Sequence, residues 1–134
     1  MKYNGIISKK ISAIQERLIK IRSLLPLKTN HLSKDYFLKS GIERTLQVCV
    51  EAMIDIANRV NSISGYSPVT ESFESIKRLE DLKILKNAEK YRMVIKFRNL
   101  IVHRYESIDN AELVNICNNC LSDFDDFIYE IENH

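Results

Sequence analysis

A continuous helical pattern over residues 33–63 restricts the fold of this chain more than any other feature of its sequence. Apolar residues recur there at intervals of three and four, which is the spacing of an amphipathic α-helix. The stripe consists of Phe37, Leu38, Ile42, Leu46, Cys49, Val50, Met53, Ile56, Ala57 and Val60. Ser33 is the expected N-cap, and Gly41 is the weak position within the pattern. A helix of this length, on the order of 45 Å, predicts the central element of a helical bundle.

A second apolar stripe precedes the first and ends at Pro26. Its members are Ile7, Ile11, Ile14, Leu18, Ile21 and Leu25. Basic side chains flank this stripe at Lys9, Lys10, Arg17 and Lys20. A solvated helix surface is the commoner explanation for such flanking charges, and a phosphate-binding face is the alternative. The sequence leaves both interpretations open.

The rest of the chain predicts three further helices. Residues 62–72 gather Gly, Pro and small polar residues, which indicates a loop after the long helix. A shorter helix is expected over about 72–85, and another begins at about Asn87. Asp109 and Glu112 have the spacing of a capping box at the start of the last helix. The apolar stripe of that helix is Leu113, Ile116, Cys117, Cys120, Leu121, Phe124, Ile128 and Ile131.

These patterns predict an all-α, up-and-down bundle of about five helices in a single domain over residues 1–134. A chain of 134 residues is long enough to bury about two-thirds of its unfolded surface without help from metals or disulfides. Its 20 Lys and Arg residues against 18 Asp and Glu residues give a net charge of +2. Any affinity for nucleic acid must therefore come from a local cluster of charge rather than from the overall balance.

The sequence also predicts a cytoplasmic protein with reduced cysteines. Residues 1–21 lack the apolar core of a signal peptide, and no window approaches the roughly 20 apolar residues of a membrane span. Cys117 and Cys120 form a C-x-x-C pattern, which in other settings is half of a zinc site or a redox pair. No second ligand pair has suitable spacing, and both cysteines lie on the apolar stripe. We therefore expect them to pack in the core and to bind no metal.

Residues 98–105, which read RNLIVHRY, concentrate the chemically versatile side chains. Arg98 stays charged, and its planar fork matches a phosphate. His103 has an unperturbed pKa of about 6.5, so it can take and give a proton near neutral pH. Such polarity on a packing helix costs stability unless a cleft uses it.

Each of these side chains also has a purely structural explanation. Arg98 could pair with a carboxylate of the long helix, such as Glu43 or Asp55. His103 could cap the end of its helix, and Tyr105 could be a half-buried ring with its hydroxyl at the surface.

The pattern R-x4-H-x-Y, formed by Arg98, His103 and Tyr105, resembles the signature of HEPN domains, specifically the HepT-like toxins encoded beside a minimal nucleotidyltransferase. The resemblance extends to the chain length, the helical patterning, the long second helix and the motif in the penultimate helix. It implies a metal-independent endoribonuclease without a cofactor, the toxin of a type VII-like toxin–antitoxin pair. Arg98 and His103 would be catalytic and Asn99 supporting, while the cognate nucleotidyltransferase would adenylylate Tyr105. A non-catalytic HEPN module that binds a nucleotide or docks a partner is the alternative.

Helical geometry limits how the motif can form a site. At about 100° per residue, Arg98 and Tyr105 lie within roughly 20° of each other, whereas His103 lies about 140° from Arg98. Either the helix ends near His103, or two chains each contribute residues to a shared cleft. The resemblance favours a homodimer that forms near the motif helix, because HEPN relatives typically pair in this way. The expected partners are RNA, a second copy of the chain and the nucleotidyltransferase, with no DNA and no membrane.

Overall fold

Helix α3, Tyr36–Ile63, is the longest element of the described chain. The helices that pack against it are α1 (Gly5–Arg22), α2 (Thr29–Lys34), α4 (Ser72–Asp81) and α5 (Arg92–His103). The structure is a computed structural model that describes residues 5–67, 69, 71–103 and 108–134, with the backbone alone at 101–103. Every predicted member of the α3 stripe from Ile42 to Val60 is buried. Phe37 is 84% exposed and Leu38 is half-buried, so the stripe reaches the core only from Ile42 onward. The central helix is therefore confirmed.

Helix α3 begins later than the sequence suggested. Its N-cap is Asp35, whose carboxylate accepts a hydrogen bond from the backbone N of Leu38 at 3.0 Å. Ser33 belongs instead to a short helix α2, Thr29–Lys34, where its hydroxyl donates to the carbonyl of Thr29 at 3.1 Å. The prediction of Ser33 as N-cap was wrong, because serine and aspartate cap equally well and a six-residue helix is too short to show a period.

Helix α1, Gly5–Arg22, lies along α3 and buries the predicted stripe of isoleucines and leucine. Ile7, Ile11, Ile14, Leu18 and Ile21 are each at most 2% exposed. Full burial of one such side chain stabilises the fold by about 1.5–3 kcal/mol, so apolar contact dominates this pairing.

Helix α4, Ser72–Asp81, is shorter than the predicted span of 72–85. The chain turns after it, and Lys83 adopts the left-handed conformation with φ of 63°. A buried amide joins α4 to α3, because Asn61 Nδ2 donates to the carbonyl of Ser75 at 2.9 Å. The break is local, so the apolar pattern of the segment did not reveal it.

A 3-10 helix, Ala88–Tyr91, leads directly into helix α5, Arg92–His103. Tyr91 is fully buried, and its ring packs edge-on against Phe127 with the ring centroids 5.6 Å apart. Its hydroxyl donates to the carboxylate of Glu130. Burial and this carboxylate raise the pKa of Tyr91. These contacts fix the start of α5 against the C-terminal part of the chain.

The predicted last helix is two helices, α6 over Asn110–Asn119 and α7 over Leu121–Glu132. Cys120 separates them with φ of −115° and ψ of −2°. Asp109 precedes α6 at the N-cap position, but its side chain makes no capping hydrogen bond, so the expected capping box is wrong in detail. The all-α bundle is confirmed, with seven α-helices in the described residues rather than about five, because short breaks divide two predicted segments.

The cysteines pack as expected. Cys49 and Cys117 are buried and Cys120 is half-buried. Burial raises the pKa of the Cys49 thiol to about 12, and burial together with the neighbouring Cys120 does the same for Cys117. Among the described residues, no group of three His, Cys, Asp or Glu side chains could hold a metal ion. Every helix in the described ranges is too short or too polar to cross a lipid bilayer.

Candidate functional site around Arg98

Arg98 lies on the side of α5 that faces the core. Val94, Ile95 and Phe97 of the same helix are each at most 2% exposed. At about 100° per residue, Arg98 lies about 40° from Val94 and about 60° from Ile95 around the helix axis. Its side chain is half-buried. The side chain of Arg98 therefore leaves α5 on the side that faces the core and not on the solvent side.

The Nε atom of Arg98 is buried and has no hydrogen-bond partner in the described chain. A buried N–H without a partner costs about 1–3 kcal/mol, because its hydration is lost and nothing replaces it. Natural folds leave few such groups, and those that remain call for an explanation. The fork of an arginine is well suited to an anionic oxygen, so an anion bound beside Arg98 would satisfy the atom.

The carboxylates of α3 do not pair with Arg98 in the described chain. Asp55 pairs with Lys10 at 2.7 Å and with Arg59 at 3.3 Å. Glu51 accepts a hydrogen bond from the side chain of a neighbouring glutamine on the same helix. The structural explanation of Arg98 as the partner of an α3 carboxylate is therefore not supported by the described residues.

Position 103 lies on another side of α5. The helix runs without interruption from Arg92 to His103, so ideal geometry separates positions 98 and 103 by about 140°. Asn99 is exposed and adjacent to Arg98. The side chain of His103 and the whole of Tyr105 lie outside the described residues. Arg98 and Asn99 are thus adjacent positions whose side chains leave α5 about 100° apart, and the roles of all four residues stay predictions.

Glu43 connects α3 to the chain just after the motif. Its Oε2 accepts a hydrogen bond from the backbone N of Ile108 at 3.4 Å, and Ile108 is buried. Asn110 Nδ2 donates to the hydroxyl of Ser33 at 3.2 Å nearby. The sequence suggested Glu43 only as a possible partner of Arg98. Its contact with Ile108 joins residues 65 positions apart, and no local pattern could have indicated it.

A slot of about 180 Å³ lies between α5 and α6 on the side of position 103. Met93, Lys96 and Leu100 form its α5 wall, and Glu112 and Asn115 belong to its α6 wall. Position 103 follows Lys96 by seven residues, which places it about 20° from Lys96 around the helix. The slot is smaller than the roughly 300–1,000 Å³ of most small-molecule sites.

The described groups can bind an anion but cannot by themselves move a proton. Arg98 offers donors only and does not deprotonate, and the amide of Asn99 offers two donors and one acceptor. Acid–base chemistry at this site needs an imidazole or another titratable group. The motif supplies one at position 103, on a different side of the same helix.

Comparisons with known proteins agree with the architecture. Residues 14–131 match the family described as ribonuclease HepT-like. The mRNA nuclease HepT of Shewanella oneidensis is 27% identical over 127 residues, which cover 93% of this chain and 95% of that protein.

Solved structures show the same fold. A toxin–antitoxin complex determined with AMP-PNP contains a chain with a TM-score of 0.86 and 26% identity, and the match covers 98% of this chain and 100% of that one. The tri-AMPylated HEPN toxin of Shewanella oneidensis, in complex with its MNT antitoxin, gives a TM-score of 0.85 and 27% identity over 98% and 100% of the two chains.

Proposed function

Because the chain belongs to the HepT-like ribonuclease family, we propose that it is the toxin of a toxin–antitoxin pair and acts as an endoribonuclease. The observation that carries this proposal is that Arg98 is half-buried and that its Nε has no hydrogen-bond partner among the described residues. Arg98 lies on the same helix as His103. The similarity to an mRNA nuclease and to toxins bound to antitoxins supports it.

The proposed reaction is a transesterification within the RNA strand and uses no metal. His103 takes the proton of a ribose 2′-hydroxyl while the 2′-oxygen attacks the adjacent phosphorus. The bond from phosphorus to the 5′-oxygen breaks, and a second imidazole protonates that leaving oxygen. Arg98 stabilises the negative charge that grows on the phosphoryl oxygens. The products are a 2′,3′-cyclic phosphate and a free 5′-hydroxyl.

A homodimer supplies the second imidazole in this proposal. Positions 98 and 103 point about 140° apart on one helix, so one chain alone does not direct both groups at the same phosphate. Two chains related by a two-fold axis would present two arginines and two histidines to one cleft. One histidine then acts as the base and its counterpart acts as the acid.

Tyr105 is the proposed point of control. Its phenol would attack the α-phosphorus of ATP on a cognate minimal nucleotidyltransferase, which releases pyrophosphate and leaves AMP on the tyrosine. The similarity to a tri-AMPylated toxin supports this role. The attached phosphate and purine would occupy the cleft and neutralise the charge of Arg98.

Cleavage of RNA by purified variants tests the proposal. Wild-type protein should cut single-stranded RNA in the presence of a chelator and leave 2′,3′-cyclic ends, which mass spectrometry of the fragments identifies. Arg98→Ala and His103→Ala should each lower the rate at least a hundredfold, since each removes a group needed in the transition state. Lys77→Ala, a change at an exposed position of α4 that does not line the slot beside position 103, is the control and should keep the wild-type rate.

Two results would contradict the proposal. Full activity of His103→Ala would remove the histidine from the catalytic role, and loss of activity on chelation would remove the metal-independent mechanism. A wild-type protein that binds the nucleotidyltransferase but never cuts RNA would instead identify a non-catalytic docking module.

A further inference from the structure

A groove between α1 and α3 collects basic side chains whose role the sequence left open. It has a volume of about 540 Å³, which lies within the range of ligand sites. Lys9, Lys10 and Arg17 line it from α1, and Arg44 lines it from α3. Lys20 lies outside this groove, but Lys9 and Lys10 of α1 are not scattered over a convex helix surface. They face a concave space together with arginines.

The acidic side chains of the groove are already engaged. Burial alone would raise the pKa of Asp55, but the hydrogen bonds and charges of Lys10 and Arg59 outweigh it and lower that pKa. Glu51 accepts a hydrogen bond from Gln47 Nε2 at 3.3 Å. The hydrogen bond from Gln47 leaves the charge of Glu51 in place, but four cations and two carboxylates line the groove, so it keeps an excess of two positive charges.

Three cations of the groove make no ion pair with a carboxylate of the described chain and are available to bind a ligand. Lys9 and Arg44 are exposed, and neither makes an ion pair with another residue of the described chain. Arg17 Nη1 donates to the carbonyl of Ala13 at 3.1 Å, which holds its guanidinium against α1. Lys9 and Arg17 are two helical turns apart, about 12 Å along the axis. That spacing spans several phosphates of one nucleic-acid strand, whose axial repeat is about 3.4 Å in a duplex and longer when extended.

The floor of the groove is apolar. Ala13, Val48 and Ala52 form part of it, and Ile6 at one end is 48% exposed. Small apolar side chains between cations can contact a ribose or a base that lies between two phosphates. Covering the apolar surfaces of the sugar, the base and the protein removes them from water, which is favourable.

The groove is linked through α3 to the chain just after the motif. Arg44 follows Glu43 directly, and the two side chains leave α3 about 100° apart. The Glu43 carboxylate holds the backbone of Ile108, just after the motif. Arg44 therefore lies about a quarter turn of α3 away from the side that contacts Ile108.

We propose that this groove binds the phosphate backbone of the single-stranded RNA substrate beside the cleaved bond. This inference rests on the function proposed above and adds where the rest of the substrate lies. It also explains how a chain with a net charge of only +2 can hold RNA, since the positive charge is concentrated in one groove.

RNA binding by a cleavage-deficient protein tests the groove independently of catalysis. In a His103→Ala background, fluorescence anisotropy with a labelled single-stranded RNA gives Kd over a series of salt concentrations. The double change Lys9→Gln and Arg44→Gln should weaken binding about tenfold and reduce the salt slope by about 1.4, the value for two lost phosphate contacts on a single strand. The matched control, Lys77→Gln with Lys86→Gln, removes the same charge from exposed positions outside the groove and should change neither quantity.

Several outcomes would overturn the inference. An unchanged Kd and salt slope in the groove variant would exclude phosphate contacts there, and an equal loss in the control would mean that only overall charge matters. Loss of binding to the nucleotidyltransferase with RNA binding intact would make the groove a protein-docking surface. A groove variant that loses RNA affinity only because it no longer associates, by light scattering, would make the groove an interface between copies. Failure of wild-type protein to cleave RNA would refute the ribonuclease proposal and leave the anisotropy result standing.

Discussion

Replacing Arg98 with methionine is expected to stabilise the folded protein while it abolishes cleavage. The Nε of Arg98 is buried without a partner in the described residues, so the folded chain bears the cost of its lost hydration. Methionine has similar length, keeps the contacts of the aliphatic stem and has no N–H to satisfy. The change therefore removes a penalty and adds none.

The size of the effect follows from the single unpaired atom. An unsatisfied buried donor costs about 1–3 kcal/mol, and the outer part of this half-buried side chain still meets water. We expect the free energy of unfolding to rise by about 1 kcal/mol. With an unfolding entropy of about 2.1 cal/mol/K per residue, this raises Tm by about 4 °C for a chain of 134 residues.

Arg78→Met is the matched control, because Arg78 has partners. Its Nη1 donates to the carbonyl of Ser67 at 2.6 Å, and its guanidinium lies 5.4 Å from the centroid of the Tyr66 ring. The same substitution should lower stability there by about 1 kcal/mol, since it removes a hydrogen bond and a cation–π contact. The two arginines thus predict shifts of opposite sign.

Urea unfolding followed by circular dichroism measures both shifts. All proteins should carry His103→Ala, so that none is toxic to the host that produces it. An Arg98→Met variant that is less stable than its parent by 1 kcal/mol or more would refute the reasoning. It would show that the guanidinium is fully paired in the folded protein and is not held ready for a ligand.

Three further predictions concern assembly, regulation and pH. Light scattering of the purified protein should give twice the chain mass, and a monomer that still cleaves RNA would show that one chain builds the site alone. Tyr105→Phe should stay toxic when the nucleotidyltransferase is co-expressed, whereas the wild type should be neutralised and gain the mass of one or more AMP groups. Neutralisation of Tyr105→Phe to the wild-type extent would exclude this control. Lys10 and Arg59 lower the pKa of Asp55 against the opposing effect of burial, so their pairing stabilises the fold at neutral pH and is lost as the pH falls through the lowered pKa. Asp55→Asn should therefore be less stable than wild type at neutral pH and equal to it in strong acid, and a difference that persists in acid would argue against the ion pairs.

The sequence predicted the parts of the fold that depend on long periodic burial. Eight consecutive members of the α3 stripe, from Ile42 to Val60, are buried, and so are the five positions of α1 from Ile7 to Ile21. Such stripes can be recognised in a sequence because every buried position needs an apolar residue, and this need recurs at helical spacing over several turns.

Local choices between near-equal alternatives escaped prediction. Ser33 and Asp35 are both good N-caps, and only the short helix α2 decides between them. Cys120 continues an apolar stripe yet separates α6 from α7. At the site, the helical period alone placed Arg98 on the side of α5 that faces the core. Its lack of a carboxylate partner could not be predicted, because it depends on the pairing of Asp55 with Lys10 and Arg59 in the folded protein.

The unpaired Nε of Arg98 also affects how this gene can change by mutation. Most amino-acid replacements lower stability, and selection removes those that leave the protein below the threshold that its function needs. At Arg98, selection for a stable fold does not require arginine, because apolar replacements there should fold at least as well. A cell that loses the neutralising enzyme could therefore escape the toxin through single substitutions at this codon that leave an intact, inert bundle. Because it stays folded, such a bundle would escape degradation. It could still bind RNA or the nucleotidyltransferase and would then compete with the active protein.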